Sequence, residues 1–112
     1  MRELPPFLHF LKQSGHEVET IIVNDGSGQK SELMQFCEAQ RLVLIHHHTN
    51  LGKGAAVRTG MQAATRAVRI FTDADIPFQY NTVNSMLTVF EKDSEVEVVA
   101  GDRRKSDYFT QT

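Results

Sequence analysis

The chain has 112 residues, 40% of them hydrophobic, with twelve basic and fourteen acidic side chains giving a formal net charge of -2. This composition describes one globular domain, residues 1–112, and excludes a disordered or fibrous chain. No Lys/Arg cluster runs along one face, which argues against nucleic-acid binding by charge; no apolar run approaches the ~18 residues of a membrane span. The lone cysteine, Cys37, has no partner for an internal disulfide, and its helical setting between Phe36 and Glu38 predicts a buried thiol in a reducing, cytoplasmic compartment.

In chain order, Phe7, Leu8, Phe10 and Leu11 recur at helical spacing after Pro5 and Pro6, and Gly15 marks the stop of this first helix. Val18 to Val23 is rich in β-branched residues and predicts a buried strand running into Asn24-Asp25-Gly26-Ser27. In the next helix Leu33, Phe36 and Cys37 share a face, and Leu42 to Ile45 predicts a second strand ending in His46-His47-His48. A Gly-rich loop leads into a helix over about 55–67, marked by the stripe Val57, Met61, Ala64 and Val68. Val68 to Thr72 predicts a third strand that delivers Asp73 and Asp75 to its carboxyl end. Val83, Met86, Leu87 and Phe90 mark another amphipathic helix, and Val96 to Ala100 a fourth strand. The alternation predicts an α/β fold with a mostly parallel sheet of about four strands and right-handed crossovers.

Such a sheet binds ligands beyond the carboxyl ends of its strands, where all three polar loops fall. Asp73 and Asp75, one residue apart, can approach a single divalent cation from a turn, because hard Mg²⁺ or Mn²⁺ takes oxygen ligands and bridges them to phosphate. A capped or solvated turn is the structural alternative. Gly52-Lys53-Gly54 allows close backbone approach to a ligand, with Lys53 and Arg58 adding positive charge near a helix N-terminus. The alternative is a helix-entry turn with two exposed cations. The segment is not a P-loop, since it lacks the earlier glycine and a Ser or Thr directly after the lysine. Asn24, Asp25 and Gly26 form a turn on structural grounds alone. The three consecutive histidines point to alternate faces and predict a solvated strand end rather than a metal tract. Cys37 fits the core better than a nucleophile, and His9 and His16 fit the surface.

Taken together, Asp25-Gly26-Ser27, then Asn50-x-Gly52-Lys53-Gly54-x-Ala56-x-Arg58-x-Gly60, then Asp73-x-Asp75 resemble the nucleotide-sugar site of family 2 glycosyltransferases of the GT-A fold. The likeness covers roughly Phe7 to Arg104 and is greatest to the polyprenyl-phosphate (dolichyl-phosphate-type) sugar transferases. It implies a truncated, Rossmann-like three-layer domain that binds a UDP- or GDP-sugar with Mg²⁺ or Mn²⁺. On that pattern Asp25 reads the base, and Asn50, Gly52, Lys53 and Arg58 hold the nucleotide, the two cations facing its phosphates. Asp73 contacts nucleotide and metal, and Asp75 the metal. Where some relatives supply a third oxygen ligand, this chain has Pro77. The resemblance further implies a central first strand and an acceptor half carrying the catalytic base, neither matched here, so no catalytic residue is assigned. A sheet lacking its central strand leaves two unpaired edges, which predicts that neighbouring strands close the gap or that another copy of the chain completes the sheet, the homo-oligomer being the favoured outcome. The alternative function is a non-catalytic oligomeric module that binds a protein partner.

Overall fold

A computed structural model describes residues 2–28 and 30–95. The elements are α1 (Leu4–Gln13), β1 (Ile21–Asp25), α2 (Lys30–Gln40), β2 (Val43–His47), α3 (Lys53–Ala63) and α4 (Asn81–Lys92). They divide into two compact units, one joining the residues up to His16 with those from Thr72 onward, the other being Glu17–Phe71.

In the first unit, α1 opens on Pro5 and Pro6, where a helix has no use for the amide hydrogen that proline lacks. Its apolar stripe buries Leu4, Phe7 and Leu11, and the same unit buries Ile76 and Val83. The ring of Phe7 meets Phe78 edge-on at 5.7 Å and Tyr80 at 5.3 Å. Aromatic pairs in such orientations add to the stabilisation from burial. The helix stops where expected: Gly15 N–H donates to the Lys12 carbonyl (3.0 Å) and His16 N–H to that of Leu11 (3.1 Å), with Gly15 at φ +88°. This left-handed closure suits a residue without Cβ. His16 is half-buried rather than a surface residue, its Nε2 lying 2.7 Å from Asn84 Oδ1 on α4.

The second unit is a parallel β1–α2–β2 crossover followed by α3. The strands pair from Ile21↔Val43 to Asp25↔His47, and α2 supplies the long connection that a parallel pair requires. α3 packs on β1, and α2 on β2. On α2 the face predicted from spacing is the one turned inward: Cys37 is buried, and Leu33 and Phe36 half-buried. Burial pushes the Cys37 thiol up, away from its reactive thiolate form.

Two expectations are corrected. α3 begins at Lys53 and ends at Ala63, earlier than the 55–67 stripe, because Glu19 captures the chain just beyond it. Its carboxylate accepts the Thr65 N–H (2.8 Å) and the Thr65 hydroxyl (3.0 Å), bonds that also hold the Glu19 carboxyl below its usual range. Val68 to Thr72 is not a strand; Ile70 and Phe71 are exposed, at 49% and 61%. A β-branched run becomes a strand only where a neighbouring edge accepts its backbone hydrogen bonds, and among the described residues the sheet holds β1 and β2 alone. Among the described residues the fold is therefore α/β with a two-stranded parallel sheet, without the third expected strand; the fourth, Val96 to Ala100, lies outside the described residues. Among the described residues, no helix is long and apolar enough to cross a membrane.

Candidate functional site

β1 and β2 end level with one another, pairing Asn24 with His46 and Asp25 with His47. Successive strand residues face opposite sides of a sheet, so these are two cross-strand pairs on two faces. In the first, buried Asn24 accepts the Ser27 N–H on Oδ1 (2.9 Å) and presents Nδ2 to the Ser27 carbonyl (3.3 Å) and to His46 Nδ1 (3.1 Å). An amide nitrogen only donates, so the proton of a neutral His46 sits on Nε2. That atom is buried without a hydrogen-bond partner among the described residues.

In the second pair the carboxylate of Asp25 gathers three donors. Oδ1 accepts from His47 Nδ1 (2.8 Å) and from the Leu51 amide (2.9 Å), and Oδ2 from the Gly52 amide (2.9 Å). The His47 bond, then the Leu51 and Gly52 amides, hold the Asp25 carboxyl below its usual range, because each stabilises the ionised form. The other ring nitrogen of His47 lies 2.8 Å from the Thr59 hydroxyl on α3. Asn50 adds a local turn by accepting the same Gly52 amide on its Oδ1 (3.0 Å). The loop lies directly on Gly26, where a Cβ would stand 2.6 Å from the Asn50 nitrogen and 2.8 Å from the Thr49 carbonyl carbon.

Asp25, Asn50 and Gly52 thus come together at the entry of α3. The first intrahelical bond there runs from Ala56 N–H to the Gly52 carbonyl (3.1 Å), so the amides of the first turn have no intrahelical acceptor. Lys53 is the first helical residue, exposed, and the exposed Arg58 follows five residues later. Helical geometry separates the two by about 140° around the axis and about 7.5 Å along it.

Asp73 and Asp75 belong to the other unit, exposed on one turn in which the Asp73 carbonyl accepts the Ile76 N–H (3.1 Å) and the Thr72 hydroxyl (3.1 Å). Ile76 closes the turn at φ +48°. For a β-branched residue this is a strained backbone, held here by its burial. The two carboxylates are the hard oxygen donors that Mg²⁺ or Mn²⁺ takes. Among the described residues no three His, Cys, Asp or Glu side chains gather as a metal cage, and Pro77 adds no side-chain oxygen. The pair fits an ion that completes its shell with water and ligand phosphate, the habit of Mg²⁺.

The expectations missed His47 and Thr59. A solvated strand end describes His48, which is exposed, but not His47, whose side chain is 9% exposed. The sequence carries no signal for it: the strand starts expected at Val18 and Leu42 lie at unequal distances from Asp25 and His47, and only the observed register pairs the two.

A parallel βαβ unit whose strand-end carboxylate pins a glycine-rich turn at a helix entry defines an α/β domain with its loop cluster at the strands' carboxyl ends. The model of glycosyl transferase family 2 matches residues 3–112, and the chain belongs to that family. The chain is also similar to an uncharacterized glycosyltransferase of Rickettsia bellii (strain RML369-C), at 29% identity over 85 residues. That match covers 75% of this chain and only 12% of the length of the relative. No solved structure matches the chain.

Proposed function

We propose that the chain binds a nucleoside-diphosphate sugar, UDP- or GDP-linked, together with Mg²⁺ or Mn²⁺, as the donor in glycosyl transfer. The observation that carries this reading is the Asp25-anchored turn that starts α3 in a member of a family whose donors are generally nucleotide sugars. Amides at a helix start, with the helix dipole behind them, favour a diphosphate, and Lys53 adds a full positive charge there. Arg58, on the next turn and about 140° around the helix from Lys53, would reach the diphosphate only by the length of its side chain. Asp25 has used about three of its four acceptor positions, leaving one on Oδ2 for an N–H of a uracil or guanine edge. Asp73 and Asp75 would hold the metal, as the family pattern implies.

In transfer an acceptor hydroxyl oxygen bonds to the sugar's anomeric carbon as that carbon's bond to the phosphate oxygen breaks; the nucleoside diphosphate leaves with the electron pair, and the acceptor's proton passes to a general base. A divalent metal, if held by Asp73 and Asp75, would supply positive charge against the charge that develops on the leaving group. The first-turn amides do the same without reorganising, because the helix fixes their direction before the reaction, and Lys53 adds its charge.

The test is thermal unfolding of the full chain with UDP, GDP and their sugar conjugates, with and without Mn²⁺. A ligand at a hundred times its Kd stabilises by about 2.7 kcal/mol, a readily measured rise in Tm. The expected rise needs Mn²⁺ and disappears in the Asp73→Ala/Asp75→Ala variant. A Tm indifferent to every nucleotide would remove the proposal, and a rise retained in that variant would remove the metal assignment.

A further inference from the structure

We propose that His47 and Thr59 are positioning residues of the donor site, acting through Asp25 to set the backbone of Leu51 and Gly52. The proposal rests on the donor-binding reading of this loop. Neither residue touches the proposed nucleotide; both act through the carboxylate.

Leu51 is 61% exposed, so the loop is held through its backbone, with Thr49 and Asn50 lying against Gly26, rather than by a buried side chain of Leu51. Its attachment to β1 is through two amide bonds to one carboxylate, each 2.9 Å. A carboxylate at a strand end can turn about its own side-chain torsions, and both amide bonds would move with it. His47 prevents this: its ring bonds Oδ1 at 2.8 Å from the neighbouring strand, and its exposure of 9% keeps water from competing.

Proton placement makes the arrangement directional. An ionised carboxylate only accepts, so His47 Nδ1 must carry a hydrogen. Nε2 then accepts the Thr59 hydroxyl hydrogen in the neutral ring, or donates to the Thr59 oxygen in the charged one; the 2.8 Å bond is satisfied in both. Thr59 lies on α3, the helix that Gly52 precedes. The helix is therefore tied to Asp25 at two points, at its entry through Gly52 and at its second turn through Thr59 and His47. Two attachments fix the direction of the helix start, where one would leave a pivot.

The test uses ¹H–¹⁵N spectra of the full chain without ligand. In the wild type the imidazole nitrogens of His47 should show a protonated Nδ1, and the Leu51 and Gly52 amide protons should lie downfield, as donors to a charged acceptor do. Thr59→Val removes only the distal bond, and His47→Gln removes the ring. Both should move the Leu51 and Gly52 signals toward ordinary positions while those around Cys37 stay in place, and Thr59→Ser should restore them. Unchanged Leu51 and Gly52 signals in Thr59→Val, or a wild-type His47 protonated on Nε2 alone, would overturn the proposal. Titration with UDP and Mg²⁺ then separates the two claims. Thr59→Val should bind about fivefold more weakly than the wild type, the loss of roughly one net hydrogen bond. A wild-type chain that binds neither UDP nor GDP would end the donor reading, whereas the ligand-free spectra decide the positioning on their own.

Discussion

Asp25 shows how much one side chain can organise when it sits at the end of a strand: three donors from β2 and the following loop converge on its two oxygens. The turn after it is equally constrained. Gly26 sits at φ +83° with the backbone of Thr49 and Asn50 pressed against its α-carbon. A methyl group there meets backbone rather than a flexible side chain, so the loop itself has to move. The left-handed conformation alone costs an L-residue about 1–2 kcal/mol, and the contact adds to it. Gly26→Ala should therefore lower stability by about 2 kcal/mol or more, read from the midpoint and slope of urea unfolding; an unchanged midpoint would show that the loop does not lie on this residue. The importance of Asn24, Asp25 and Gly26 was legible in the sequence because turn-forming residues directly after an apolar run announce a strand end. The role of His47 was not, since three identical neighbours carry no mark of which one faces inward. Only the pairing register, which puts His47 opposite Asp25, selects it.

At the scale of elements, α1 and α2 end in the same hydrogen-bonded closure with different residues at its left-handed position. α1 uses Gly15; α2 uses Arg41 at φ +59°, with Arg41 N–H on the Glu38 carbonyl (3.2 Å) and Leu42 N–H on that of Cys37 (2.8 Å). The first stop was readable because glycine signals it, the second was hidden behind a residue that pays a steric cost to adopt it. Arg41 is exposed, so replacing it removes no buried packing. Relief of about 1–2 kcal/mol, less the greater unfolded freedom of glycine, leaves Arg41→Gly more stable by about 0.5–1 kcal/mol in the same unfolding assay. A destabilised variant would mean that the arginine side chain contributes more than its backbone costs. Helix α3 and the segment after it failed differently. Periodicity ran through Val68, but a helix boundary is decided by competing bonds, and Glu19, 46 residues earlier than Thr65, is invisible to any local pattern. Likewise Val68 to Thr72 has strand composition, but pairing is a property of two segments.

At the scale of the whole chain, each unit keeps its own logic. The first builds an apolar core from α1, α4 and the Ile76 turn, and carries the carboxylate pair; the second builds the βαβ crossover and carries the Asp25-anchored loop. The family was legible because its glycines, lysine and aspartates mark loops, where short spacing survives any change in the surrounding elements. The fate of Val68 to Thr72 was not, because strand composition does not by itself provide a partner. The central claim is that the entry of α3 is the diphosphate site, and the most direct measurement is backbone amide mapping of the full chain titrated with UDP in the presence of Mg²⁺. Saturable shifts are expected, concentrated on Gly52, Lys53, Gly54 and Ala55 and extending to Asp25. Shifts absent from this loop, or spread over surface lysines and arginines without saturation, would contradict that claim.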